Sequence, residues 1–139
     1  MIKWISLFCA FVLLPCHAEL VVKDATLRLL PPGVPNSSAY FALENTGDIA
    51  EIIISAAVST DIARSVEIHK HVMDDDGMHM ERQNELTIAA GQSIQFVPGG
   101  LHLMVFGLKK PLVEGQSVNF NLSTKAGLQV SFDAIVVRP

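Results

Sequence analysis

The strongest constraint on the fold is a repeated two-residue alternation cut by turn residues at short intervals. Over Arg64 to Met73, Val66, Ile68 and Val72 fall on one side, and Glu67, His69, His71 and Met73 on the other. Leu101 to Phe106 repeats the pattern, with Leu101, Leu103 and Val105 opposed to His102, Met104 and Phe106. Neighbouring residues in a strand point to opposite faces, so each segment has one aliphatic face to bury and one polar face to present. No stretch after the N-terminus carries a helical period.

Further strands are expected over Leu20 to Leu30, Ser38 to Asn45, Glu51 to Ser59, Met78 to Arg82, Leu86 to Ile88, Ser93 to Val97, Gln116 to Ser123 and Leu128 to Val137. Between them lie Pro31-Pro32-Gly33, Asn45-Thr46-Gly47-Asp48, Asp74-Asp75-Asp76-Gly77, Ala89-Ala90-Gly91-Gln92, Pro98-Gly99-Gly100 and Lys125-Ala126-Gly127. Proline removes a ladder donor, while glycine and asparagine accept positive φ, so these are turns. Counted as eight or nine separate strands from these ten short segments, in one domain, the pattern makes an all-β sandwich the expected class.

Residues 1–18 place Lys3 before an apolar run from Trp4 to Leu14, ahead of Cys16-His17-Ala18. This is the pattern of a secretory signal cleaved before Glu19, leaving a single domain over 19–139 and a periplasmic protein. The run is shorter than the roughly 20 apolar residues of a span, so no stable membrane insertion is expected. A lipid anchor on Cys16 is the alternative, against which Pro15 stands where such signals carry a small residue. Both cysteines, Cys9 and Cys16, precede the cut, so 19–139 has no thiol. A blue-copper centre and a Cys-x-x-Cys redox centre are thereby excluded. With nine Lys plus Arg against fourteen Asp plus Glu in 19–139 there is no basic patch for nucleic acid. No nucleotide loop, Gly-x-Ser-x-Gly elbow or cysteine nucleophile marks an enzyme.

The chemistry concentrates between Ser65 and Leu112, which holds four of the five histidines and four of the five methionines. His69 is followed after ten residues by Met80, after twenty-one more by His102, and after one more by Met104. Imidazole suits several transition metals, but thioether sulfur is a soft donor that selects Cu(I), so the mixed set favours copper over zinc, calcium or magnesium. In an oxidising compartment a soft site is safer built from methionine than from cysteine. A lone strand histidine is ordinarily a surface residue, and a lone methionine is ordinarily core filler. Here His102 and Met104 leave one strand on the same face. A hairpin at Asp74 to Gly77 brings His69 and His71 to Met80, directly or diagonally. His71 shares the face of His69 and could replace it or provide a second docking position, although with Met73, Met78 and His79 it is expected to line a rim. The acidic turn lacks the ligand pattern of a calcium loop.

The spacing His69, Met80, His102, Met104 resembles the signature of the periplasmic copper chaperone family PCu(A)C at all four positions. The flanks VEIH at Val66 to His69 and PGGLHLMVFGLKKPL at Pro98 to Leu112 are similar too. The resemblance implies a cupredoxin-like Greek-key barrel and selects His69, Met80, His102 and Met104 as ligands of one Cu(I) per chain. It further implies delivery by ligand exchange to a respiratory oxidase copper domain or its thiol-containing assembly factor, by a protein expected to be monomeric. The chain ends at Pro139 without the His- and Met-rich tail of some relatives, which speaks against multi-ion storage. A copper buffer for tolerance is the first alternative, and an exported adhesion or assembly module with incidental His and Met the second. The short loops beside the ligands are expected to leave the site open to an acceptor.

Overall fold

The computed structural model describes residues 19–139 together with residues 10, 12 and 13. The signal-sequence expectation over 1–18 therefore falls almost wholly outside the described residues. Ten strands are present: β1 (Leu20–Arg28), β2 (Ser37–Asn45), β3 (Glu51–Val58), β4 (Ala63–Asp74), β5 (Gly77–Arg82), β6 (Leu86–Ile88), β7 (Ser93–Phe96), β8 (Leu101–Leu108), β9 (Ser117–Thr124) and β10 (Gln129–Val137). No helix occurs among the described residues. All ten expected segments form strands, one or two more than the eight or nine counted from the sequence.

The strands lie in the order β5-β4-β8-β7-β2-β1-β10-β9-β3-β6. Additional β8–β2 and β4–β3 pairings close the sheet on itself, with β5 and β6 as outlying strands. This is the all-β, cupredoxin-like Greek-key barrel that the family resemblance implied. Closure leaves only β5 and β6 with a free edge, and the β3–β4 seam is slight, a single register pair at Ala56 and Val66. β1 pairs in parallel with β10 and antiparallel with β2, across a register shift between Lys23 and Thr26. There Asp24 adopts φ 56°, a bulge that alternation alone does not reveal.

The interior is filled by the aliphatic faces read from the sequence. Leu27, Leu43, Ile53, Ile88, Leu103, Val105, Phe120, Leu122 and Ala134 are fully buried. Phe41 stacks on Phe96 at 4.2 Å between ring centroids and meets Phe132 at 4.9 Å. Burying one such aliphatic side chain stabilises the fold by about 1.5–3 kcal/mol. Leu103 and Val105 therefore fix the register of β8, since a slip of one residue would turn them outward and send His102 and Met104 into the core.

One turn differs from expectation in detail. The Asn45 turn does not use positive φ at Asn45 or Gly47. The Asn45 side chain builds it instead, accepting from the Gly47 N–H at 3.0 Å and donating to the carbonyls of Ile49 and Ile88 at 2.7 and 3.1 Å. In the acidic turn the Asp76 N–H donates to Asp74 Oδ1 at 2.9 Å, and Gly77 takes φ 107°, a conformation open to glycine at no steric cost.

Candidate metal centre

β4 is longer than its neighbours and changes partners along its length. Its first part, Ala63 to Lys70, pairs with β8. Its last part, His69 to Asp74, pairs with β5 on the other edge. His69 lies in both ladders, opposite His102 on one side and Arg82 on the other. Glu67 faces Met104 on β8, and His71 faces Met80 on β5. Direct cross-strand pairs stand about 4.5–5.5 Å apart at Cβ, and diagonal pairs about 7–8 Å. Met80 is thus a direct neighbour of His71 and a diagonal neighbour of His69.

Three imidazoles meet at this place. The His71 and His102 rings lie edge to face with centroids 5.2 Å apart, and the His69 and His102 centroids are 6.0 Å apart. Two imidazoles bound at about 2 Å to one ion have centroids roughly 5–6.5 Å apart, so both pairs are within reach of shared coordination. His102 is 2% exposed, so this side chain lies deeper than expected of an open site, although Met80 on the same face is half exposed. The Gly100 carbonyl accepts from His102 Nδ1 at 3.1 Å and from the His71 backbone N–H at 3.5 Å.

The hydrogen bonds select which ring nitrogen stays free. His102 spends Nδ1–H on Gly100, leaving Nε2 as a buried acceptor without a partner. His69 Nε2 lies 2.8 Å from Glu67 Oε2, and its Nδ1 is buried and unpartnered. Arg82 holds the other oxygen of Glu67 at 3.2 Å. His71 Nδ1 is likewise buried and unpartnered. Leaving a buried polar atom unpaired costs about 1–3 kcal/mol, and three in one cluster call for a ligand. Burial, reinforced by the neighbouring His71 and His69 and opposed by the Gly100 carbonyl, lowers the pKa of His102 below its usual value. The ring is therefore neutral, the form a metal needs.

The sulfurs complete the face. Met104 Sδ accepts from Ser38 Oγ at 3.7 Å, and Met80 is 50% exposed. Among the described residues the imidazoles meet in pairs through His102 rather than as a group of three placed to hold a metal, and the thioethers are further soft donors on the same face. His79 points to the opposite face of the hairpin, beside Asp74 at 3.4 Å. His71 is no mere rim residue, because it packs against His102 more closely than His69 does. Sequence reasoning passed over Glu67 and Arg82, although Glu67 shares the parity of His69 two residues away.

A family model described as "Putative lipoprotein LpqE-like" matches residues 20–136, nearly all of the described domain. The chain belongs to the LpqE-like family. A "Putative lipoprotein" of Leifsonia xyli subsp. xyli is 33% identical over 92 residues, 66% of this chain and 54% of that protein. The chain thus spans about half the length of the curated relative it matches. Among solved structures, the copper-bound PCuAC domain from PmoF2 superposes with a TM-score of 0.70 at 21% identity, covering 88% of this chain and 99% of that one. The solution structure of CuI-DR1885 from Deinococcus radiodurans is 31% identical with a TM-score of 0.62, covering 88% of this chain and 78% of that one. This LpqE-like domain therefore has the PCuAC fold that its His and Met spacing resembles.

Proposed function

We propose that this protein is an exported copper chaperone that holds Cu(I) through His69, Met80, His102 and Met104 and passes it on by ligand exchange. The observation that carries the proposal is the clustering of buried, unpartnered histidine ring nitrogens on a face that also presents two thioethers. The 31% identity to a protein whose solution structure is described as its CuI form supports the same reading. Neutral nitrogen and sulfur donors suit Cu(I) and bind it less firmly than a pair of thiolates. Copper then runs downhill to a cysteine-bearing acceptor, for which an oxidase copper domain or its thiol-containing assembly factor is the proposed recipient. A carrier role needs no catalytic group, and export through residues 1–18 places it in the periplasm.

The test is anaerobic Cu(I) titration of the purified protein against chelators of graded affinity, followed by mixing the loaded protein with a reduced, apo, dithiol-bearing copper domain. One tightly held Cu(I) that moves to the acceptor at equal concentrations supports delivery. Copper that stays on the donor favours a buffering protein, and no Cu(I) binding refutes the assignment.

A further inference from the structure

Beyond the inner cluster, the β4–β5 hairpin runs past the end of β8, whose last register pair is Leu101 with Lys70. On this projecting part Met73 pairs directly with Met78, and His71 with Met80. All four side chains leave the face that carries His69 and His102. Met73 is 69% exposed, Met78 61% and Met80 50%, and they are the only large apolar side chains so exposed on β4 and β5. Elsewhere among the described strands and loops the exposed large apolar residues are aliphatic, such as Ile54, Val97 and Ile135. A face meant only for apolar contact would be served by such residues. Here each position carries sulfur.

We propose that Met73, Met78 and Met80 form an outer Cu(I) site through which the ion enters and leaves the inner one. The inference rests on the copper reading of the inner cluster and extends it. Cross-strand neighbours at about 5 Å, with three flexible torsions each, can bring their sulfurs onto one ion. Asp74, Asp75 and Asp76 at the tip add an attractive field for a cation, screened beyond about 8 Å at physiological salt. Met80 belongs to both sites. An ion held by Met73, Met78 and Met80 keeps Met80 while an imidazole lone pair from His71 or His69 replaces a thioether. One metal–sulfur bond breaks, one metal–nitrogen bond forms, and neither an electron nor a proton moves, because both donors are neutral.

The experiment follows methionine methyl resonances of the purified, methyl-labelled protein during anaerobic Cu(I) titration against competing chelators. Met80 and Met104 should respond to the first, tightly held equivalent, and Met73 and Met78 to a second held at least about tenfold more weakly. The Met73→Leu/Met78→Leu variant, nearly isosteric and on the surface, should keep the first equivalent, lose the second and capture Cu(I) several-fold more slowly. His102→Ala should do the reverse, losing the tight equivalent while the Met73 and Met78 resonances still shift. A wild-type protein that saturates at one equivalent with Met73 and Met78 unmoved overturns the outer site alone. So does a double-leucine variant that binds and captures Cu(I) like the wild type, which would leave these methionines as an apolar docking face. Absence of any Cu(I) binding overturns the inner site as well.

Discussion

Replacing His102 with leucine should make the apo domain more stable while destroying its tight copper site. His102 is 2% exposed and carries an unpartnered Nε2, a burden of about 1–3 kcal/mol that an apolar side chain of similar volume does not bear. Against this the variant loses the Nδ1–H bond to the Gly100 carbonyl, worth about 0.5–1.5 kcal/mol net. That carbonyl keeps the long contact from the His71 backbone N–H. The balance is a gain of about 1 kcal/mol, or about 4 °C in Tm for a domain of this length. The gain should widen in acid. The His102 pKa is lowered in the fold, so between that value and the ordinary one of about 6.5 the unfolded chain binds more protons than the native one. Wild-type stability therefore falls as pH drops through this window, and the variant should show a shallower fall. Urea unfolding at pH 7.5 and 5.5 in the presence of a copper chelator reads both effects, and chelator competition should show Cu(I) affinity lowered by more than about 100-fold, since groups that only orient ligands already cost about 10–100-fold. A variant less stable by 1 kcal/mol or more at pH 7.5, or one with an unchanged pH slope, refutes the view of His102 as a strained ligand held for metal.

Three further outcomes follow from the same geometry. Cu(I) affinity, measured by competition across pH, should hold through neutral pH and weaken in acid below the ordinary histidine range, because burial lowers the His102 pKa, an imidazolium cannot ligate and thioethers do not titrate; an affinity level down to pH 4.5 removes His102 from the site. Glu67→Gln should weaken Cu(I) binding about tenfold with the fold intact by circular dichroism, since the Glu67 carboxylate orients His69 and is itself held by Arg82; an unchanged affinity means that His69 is not a ligand or needs no orientation. Intact-mass measurement of the exported protein should show a chain beginning at Glu19, whereas an acylated Cys16 would replace release with anchoring.

The strands were legible wherever one face is buried and the other is not. β4 and β8 are legible to within two residues of their observed ends because Val66, Ile68, Leu103 and Val105 alternate with non-aliphatic residues and are core. Less was legible where structure depends on distant partners. The Asp24 bulge comes from matching β1 to both β2 and β10, and the Asn45 turn from a side chain reaching Ile88 across 43 positions. Neither leaves a local signature. The closure of the barrel at Ala56 and Val66 is likewise a property of the assembled sheet.

The candidate site shows the same division. Parity put His69, His71, His102 and Met104 on one face, but parity is blind to a shift of two residues, which preserves every face and changes every neighbour. Only the observed register separates the direct neighbours, His69 with His102 and His71 with Met80, from the diagonal ones. Those pairs give the two sides of the face unlike freedom. On the β8 side the imidazoles are fixed, His102 by Gly100 and His69 by Glu67 with a side-chain exposure of 14%. On the β5 side Met80 is half exposed on a hairpin that β8 no longer supports. An ion shared between them would be held by rigid nitrogens within, and Met80 would stay bound to it as it moves outward towards Met73 and Met78. Exchange should therefore be slower in Met80→Ala than in Met104→Ala even where the two lose similar affinity, a difference in rate that follows from which strand each methionine occupies.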